Sequence, residues 1–264
     1  MGITRVILGK IFQSAGKSAG QKEMSFLEHL DELRSKIIHA LIGILIGTAL
    51  CVVFVDFIVQ TALLSPLYSY GLKTQVLSPY GIVLLYMEAV LVCGIIISMP
   101  FTIYCLWSFV APGLLPKERR YISRIVFFTS FCFFAGVAFG YYIILPAALQ
   151  FFSTFHTQEI NLNIALDRYV SFMLMLLLGS GLVFEMPMVS YFLSKMGMLT
   201  PEFMRKYRIH AIVVIFIIAA FVTPSPDMIT QTLLALPMIV LYEASIFISK
   251  FSQRNSSTLP DDSV

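Results

Sequence analysis

Long apolar runs alternate with short polar connectors along the whole chain. Six such runs recur: Ile37–Val59, Gly81–Phe109, Ile122–Leu145, Tyr169–Leu193, Ile209–Val222 and Thr232–Ile248. The first four reach the length of about 20 residues that a helix needs to cross a bilayer. The fifth is about 14 residues, roughly 21 Å at the helical rise, and the sixth is also short. Two short neighbours predict local bilayer thinning or shielding by partner proteins. Pro100 predicts a kink in the second run, and Pro146 an end or a bend in the third. The connector Gln60–Tyr80 carries Pro66, Gly71 and Pro79 and reads as a compact extramembrane loop with short helices. Six transmembrane helices in an all-α integral membrane protein are the expected fold class.

Ahead of the first run lies an acidic, amphipathic stretch from Ser25 to Arg34. Ser25 and Glu28 have the spacing of a capping box, so a helix is predicted to start there. Leu27, Leu30 and Leu33 make an apolar stripe, while Glu28 and Glu32 share a face with Asp31 beside them. The plain reading of such a helix is a solvated face at the mouth of a span. The domain reading is an extension over 1–24, a single six-span membrane domain over 25–249, and a polar, disordered cytoplasmic tail over 250–264. Within the extension, apolar residues from Ile3 to Phe12 interleave with Arg5 and Lys10, as in a short helix on a membrane surface; a floppy extension ahead of an internal Met24 is the alternative.

Charge placement orients the spans. Of the 18 Lys and Arg residues, sixteen fall in the N-terminal segment, the second and fourth connectors and the tail. Only Lys73 and Arg168 fall in the other connectors. By the positive-inside rule both termini are expected in the cytoplasm, N-in and C-in, in agreement with an even number of spans.

Composition narrows the chemistry. The chain is 58% hydrophobic and 12% charged, which a soluble domain could not accommodate. Cys51, Cys93, Cys105 and Cys132 lie in or beside apolar runs with no CxxC spacing, and the four histidines form no H-x-x-x-H pair, so neither metal nor disulfide is indicated. No phosphate-binding loop is present for ATP hydrolysis. No cofactor is expected, nor any nucleic-acid partner, and the chain is not read as an enzyme.

The candidate functional residues are carboxylates. Glu32 and Glu118 both lie on the face assigned to the cytoplasm, and Glu118 is set among basic residues, where it offsets like-charge repulsion on the plain reading. Two carboxylates facing one ligand would suit adjacent guanidinium groups, whose planar forks pair bidentately where an ammonium does not. Glu185 lies mid-span, where an ionisable group costs at least ~2.5–3.5 kcal/mol and must face a cavity, water or a partner. Gln231 could hydrogen-bond across a helix interface. Glu88 and Glu243, nearer span ends, are expected to snorkel to the headgroups. Gly179-Ser180-Gly181 has the look of an intramembrane serine protease site, but small residues in a span usually mark close helix packing.

Six motifs then fall in order: His29 to Arg34, Trp107 to Arg120, Phe184 to Pro187, Thr223 to Asp227, Gln231 to Pro237 and Leu241 to Glu243. With this topology the chain resembles the TatC family, the multi-span receptor of the twin-arginine protein translocase, over about Phe26 to Ile248. The resemblance implies a curved, cup-like six-helix bundle in the bacterial inner (cytoplasmic) membrane. It implies that Glu32 and Glu118 hold the twin arginines of a signal peptide on a folded precursor, with Arg34 and Phe109 shaping the same surface. It implies contact with single-span TatA/TatB-type subunits through Glu185, Gln231 and Pro66, export driven by the proton-motive force, and a homo-oligomer within a hetero-oligomeric complex. Many relatives carry more arginine after the position of Arg34, whereas this chain has Ser35-Lys36. The alternative function is an ion-coupled secondary transporter that uses Glu185 as its proton site; the absence of an evident internal repeat weighs against it.

Overall fold

The first helix, α1 (Phe26–Val53), is 28 residues long, or ~42 Å. A hydrocarbon core of about 30 Å cannot contain it, so one end must project into water. The acidic stretch from Phe26 and the first apolar run as far as Val53 are thus one unbroken helix. The computed structural model describes residues 26–70, 73–110, 122–154, 163–195, 197, 199–222 and 228–254. The expected start at Ser25, Glu118 with its whole connector, the turn at 223–227, the extension and the end of the tail lie outside these residues.

After α1 the chain runs through a three-residue helix (Val55–Phe57), a π-helical segment (Ile58–Leu63) and α2 (Ser65–Ser69), then β1 (Lys73–Gln75). The expected loop therefore contains regular structure, as predicted. The second span, α3 (Gly81–Val110), continues through Pro100 without a break. Two hydroxyls beside the proline bond back to the helix itself, Ser98 to Ile95 O and Thr102 to Ser98 O; neither reaches Ile96 O, the carbonyl whose helical donor Pro100 removes. The third span is α4 (Ile122–Phe139), a π turn (Gly140–Ile144) and α5 (Leu145–Thr154). The widened π turn immediately precedes Pro146, so the helix passes the proline instead of ending there.

β2 (Asn163–Ala165) pairs in parallel with β1, Lys73 opposite Asn163 and Gln75 opposite Ala165. This pairing marks one end of the bundle. From β2 the chain enters α6 (Leu166–Phe184), breaks at Glu185, and continues as α7 (Met186–Lys195). Gly197, at φ 72°, turns the chain in the left-handed region that glycine tolerates. Thr200 caps α8 (Pro201–Lys206) by accepting from the Phe203 N–H at 3.2 Å, and Pro201 occupies the first turn. α9 (Arg208–Val222) matches the fifth apolar run. α10 (Met228–Arg254) is 27 residues long and extends past both ends of the sixth run. The shortness predicted there belongs to the apolar stretch, not to the helix.

Among the described residues, four helical segments are long and apolar enough to cross a membrane: His29–Val53, Gly81–Val110, Ile122–Phe151 and Leu166–Ser194; a shorter apolar helix covers Arg208–Phe221. α6 lies at the centre, its side chains from Tyr169 to Leu177 almost all buried, and packs against α3 and α4. α1 packs mainly on α3, through glycines: a Cβ at Gly47 would meet the Gly94 carbonyl oxygen at 2.7 Å. Its other faces leave Ile37, Leu41, Leu45 and Ile46 exposed, as suits a helix bathed in lipid.

Candidate functional site

The α1–α3 seam positions the first candidate site. Where α3 ends, its Ser108 and Phe109 meet the early turns of α1. The Lys36 ammonium donates to Ser108 Oγ at 2.8 Å. The His29 ring stacks on Phe109, centroids 4.5 Å apart and planes 20° apart. His29, Glu32 and Lys36 follow a spacing of three and four, which places all three on one helix face. Glu32 is thus bracketed by the His29–Phe109 stack on one side and the Lys36–Ser108 bond on the other. It is half-buried, and its Oε2 has no hydrogen-bond partner among the described residues. A shielded carboxylate with an unmet oxygen is suited to receive a cation.

The structure brings Glu32 and Phe109 to the same corner. Arg34 is exposed and, two residues from Glu32, lies about 200° around the helix at 100° per residue, so its side chain leaves from the opposite face. His29, Lys36 and Ser108 escaped the sequence reading as site residues. The signal for the first two was there in their spacing about Glu32; the contact with Ser108 joins residues 72 apart.

The second candidate, Glu185, occupies the single residue between α6 and α7. Pro187 cannot donate to the carbonyl four residues earlier, so the helix is interrupted where the carboxylate sits. The Glu185 N–H donates to Leu182 O at 3.1 Å, and its carbonyl accepts from the Val189 N–H at 3.0 Å. Both carboxylate oxygens are buried and unpartnered among the described residues. Gln231, by contrast, already uses a donor within the chain: Nε2 reaches Phe216 O at 2.9 Å and ties α10 to α9. Pro66 is half-buried in the first turn of α2.

One expectation is corrected, at Glu88, while Ser180 follows its packing reading. Glu88 does not reach toward headgroups: half-buried on α3, its Oε2 accepts the Ser171 hydroxyl of α6 at 2.6 Å. Ser180 is a packing residue, donating to Leu177 O at 3.0 Å while Gly136 and Gly140 press against it without room for a Cβ. Glu243 is exposed and receives Arg208 Nη2 at 2.7 Å. Cys51 and Cys105 are buried, Cys93 and Cys132 half-buried, and all four are free thiols. Among the described residues no cluster of three or more His, Cys, Asp or Glu side chains could hold a metal ion.

Apolar helices that outspan a bilayer, glycine-seamed contacts and unpartnered carboxylates define a multi-pass helical membrane protein. A profile described as Sec-independent protein translocase protein (TatC) matches residues 28–237, and the chain belongs to that family. It is 38% identical over 230 residues to the TatC of Carboxydothermus hydrogenoformans, covering 87% of this chain and 94% of that one. It is 39% identical over 222 residues to the TatC of Helicobacter pylori strain 26695, covering 84% and 86%. A crystal structure described as the twin arginine translocase receptor TatC superposes with a TM-score of 0.79 at 35% identity, covering 86% of this chain and all (100%) of that one. The same receptor in DDM gives a TM-score of 0.77 at 34% identity. The family is one of protein translocases, and the secondary-transporter alternative is not favoured.

Proposed function

We propose that this chain is the receptor core of the twin-arginine translocase in the bacterial inner membrane. It crosses the membrane six times with both termini in the cytoplasm, an orientation that the sixteen-to-two division of basic residues supports. Glu32 and Glu118 together grip the paired guanidinium groups of a signal peptide on a folded precursor. Phe109 walls the Glu32 corner through its stack on His29; Arg34, on the opposite helix face, borders the peptide's path at most. Single-span TatA/TatB-type subunits dock through Glu185, Gln231 and the Pro66 turn, in a hetero-oligomer that contains more than one copy of this chain. The proton-motive force drives transport.

The observation that carries this reading is the Glu32 carboxylate, shielded by α3 and left with an unmatched oxygen at the projecting end of α1. A guanidinium supplies the missing donors in a fixed plane; a lysine supplies charge without that geometry. The decisive experiment is site-specific crosslinking of a signal peptide to the purified complex. With Glu32→Ala and Glu118→Ala combined, crosslinking of an Arg-Arg peptide should drop to the level of a Lys-Lys peptide. Undiminished, Arg-Arg-selective crosslinking would remove the assignment.

A further inference from the structure

The link between α1 and α3 contains a backbone problem and its answer. Pro66 has no N–H, so the Ala62 carbonyl, four residues earlier, lacks its helical donor. The preceding segment, Ile58–Leu63, is already π-helical. At the rim of a span, lipid offers no replacement donor. Two tyrosines from other helices reach this point. Tyr141, in the π turn after α4, donates its hydroxyl to Ala62 O at 3.0 Å, and Tyr169, in the first turn of α6, donates to Leu63 O at 3.0 Å. The partners are 79 and 106 residues apart in the chain. Leu63, Leu67 and Tyr169 are buried, which shields the Tyr169 bond from water; the Tyr141–Ala62 bond is half-buried beside it.

We propose that Tyr141 and Tyr169 are positioning residues that latch the Pro66 turn onto α4 and α6. Tyr141 stands in for the backbone donor that Pro66 removes. Pro66 therefore acts through the fold as well as by any surface it presents, and the two hydroxyls set where that surface lies. Only this last consequence rests on the receptor reading; the latch itself does not.

Hydrogen exchange of the purified full-length chain in detergent, read at Leu67 to Tyr70, tests the latch without signal peptide or partner. Tyr141→Phe should speed exchange about fivefold, as expected for one lost hydrogen bond. In a Pro66→Ala background, where the restored N–H serves Ala62, Tyr141→Phe should add nothing. Tyr169→Phe should speed exchange in both backgrounds, because Leu63 is not the carbonyl that Pro66 orphans. Pro66→Ser restores the same N–H and replaces Pro66→Ala should that variant not accumulate. Equal acceleration by Tyr141→Phe in both backgrounds, or none beside the native proline, overturns the proposal. Because exchange reports only on the turn, its outcome stands apart from the crosslinking result.

Discussion

Glu88 and Glu185 both lie along apolar spans, and the structure treats them in opposite ways. Glu88, near the β1–β2 end, is held by the Ser171 hydroxyl at 2.6 Å across the α3–α6 contact. Glu185, at the break between α6 and α7, has both oxygens shielded with no partner among the described residues. An unpaired buried carboxylate is a standing cost that packing alone does not remove. A site satisfied from inside the chain belongs to the fold; a site left unsatisfied is open to a second molecule. The same residue type in similar apolar surroundings thus divides into a structural and a candidate binding role.

The largest effect expected from this contrast is at Glu185. Glu185→Ala should reduce copurification of the single-span subunits at least tenfold, while the isolated chain melts no lower than the parent, since removing an unpaired buried charge relieves desolvation. Retained copurification together with a falling melting temperature would reverse the roles assigned to the two glutamates. At Glu88 the expected pattern is the opposite: Glu88→Ala should destabilise the isolated chain by about 1.5–3 kcal/mol, the range for a hydrogen bond to a charged group. Ser171→Ala should cost a similar amount, and the double variant less than the sum, with coupling of about 1 kcal/mol in a melting-based mutant cycle. Strict additivity would mean that the 2.6 Å contact contributes nothing.

A smaller and more structural effect is expected at the α4–α6 seam. Gly136→Ala would bring a Cβ within 2.6 Å of the Ser180 carbonyl oxygen, so the helices must part at a cost of about 1–3 kcal/mol. Because the seam leads toward Glu185, this variant should lower thermal stability first and subunit association only as a consequence. The smallest effect belongs to the Arg208–Glu243 pair. Both side chains are nearly half exposed, 45% and 47%, so Arg208→Ala should change stability by less than about 1 kcal/mol, and less still at high salt. A large loss there would show that exposure is a poor guide to the roles of the other carboxylates.

Much of this could be read along the chain. Apolar runs are local, and burial in lipid needs only length and composition, so Gly81–Val110 and Arg208–Val222 coincide with their predicted runs within a residue. Prolines mark where backbone bonds must be made differently, although not how. Pro100 is absorbed without a break, Pro146 by a π turn, and Pro187 by a true interruption. Glu32 and Phe109 were identifiable as motif residues, and His29 and Lys36 by their spacing about Glu32, whereas the contacts of His29 with Phe109 and of Lys36 with Ser108 emerged only from the packing of α1 on α3.

What one-dimensional order determined was the set of helices, their approximate ends and the asymmetry of basic charge, because each depends on neighbours a few residues away. Tertiary structure alone decided which polar groups found partners: Glu88 with Ser171, the Ala62 carbonyl with Tyr141, β1 with β2, and Glu185 with none among the described residues. A hydrogen bond needs two groups at about 3 Å, and in each of these pairs the chain separates them by some 80 residues or more. No local pattern encodes such a meeting; it follows from how the helices pack.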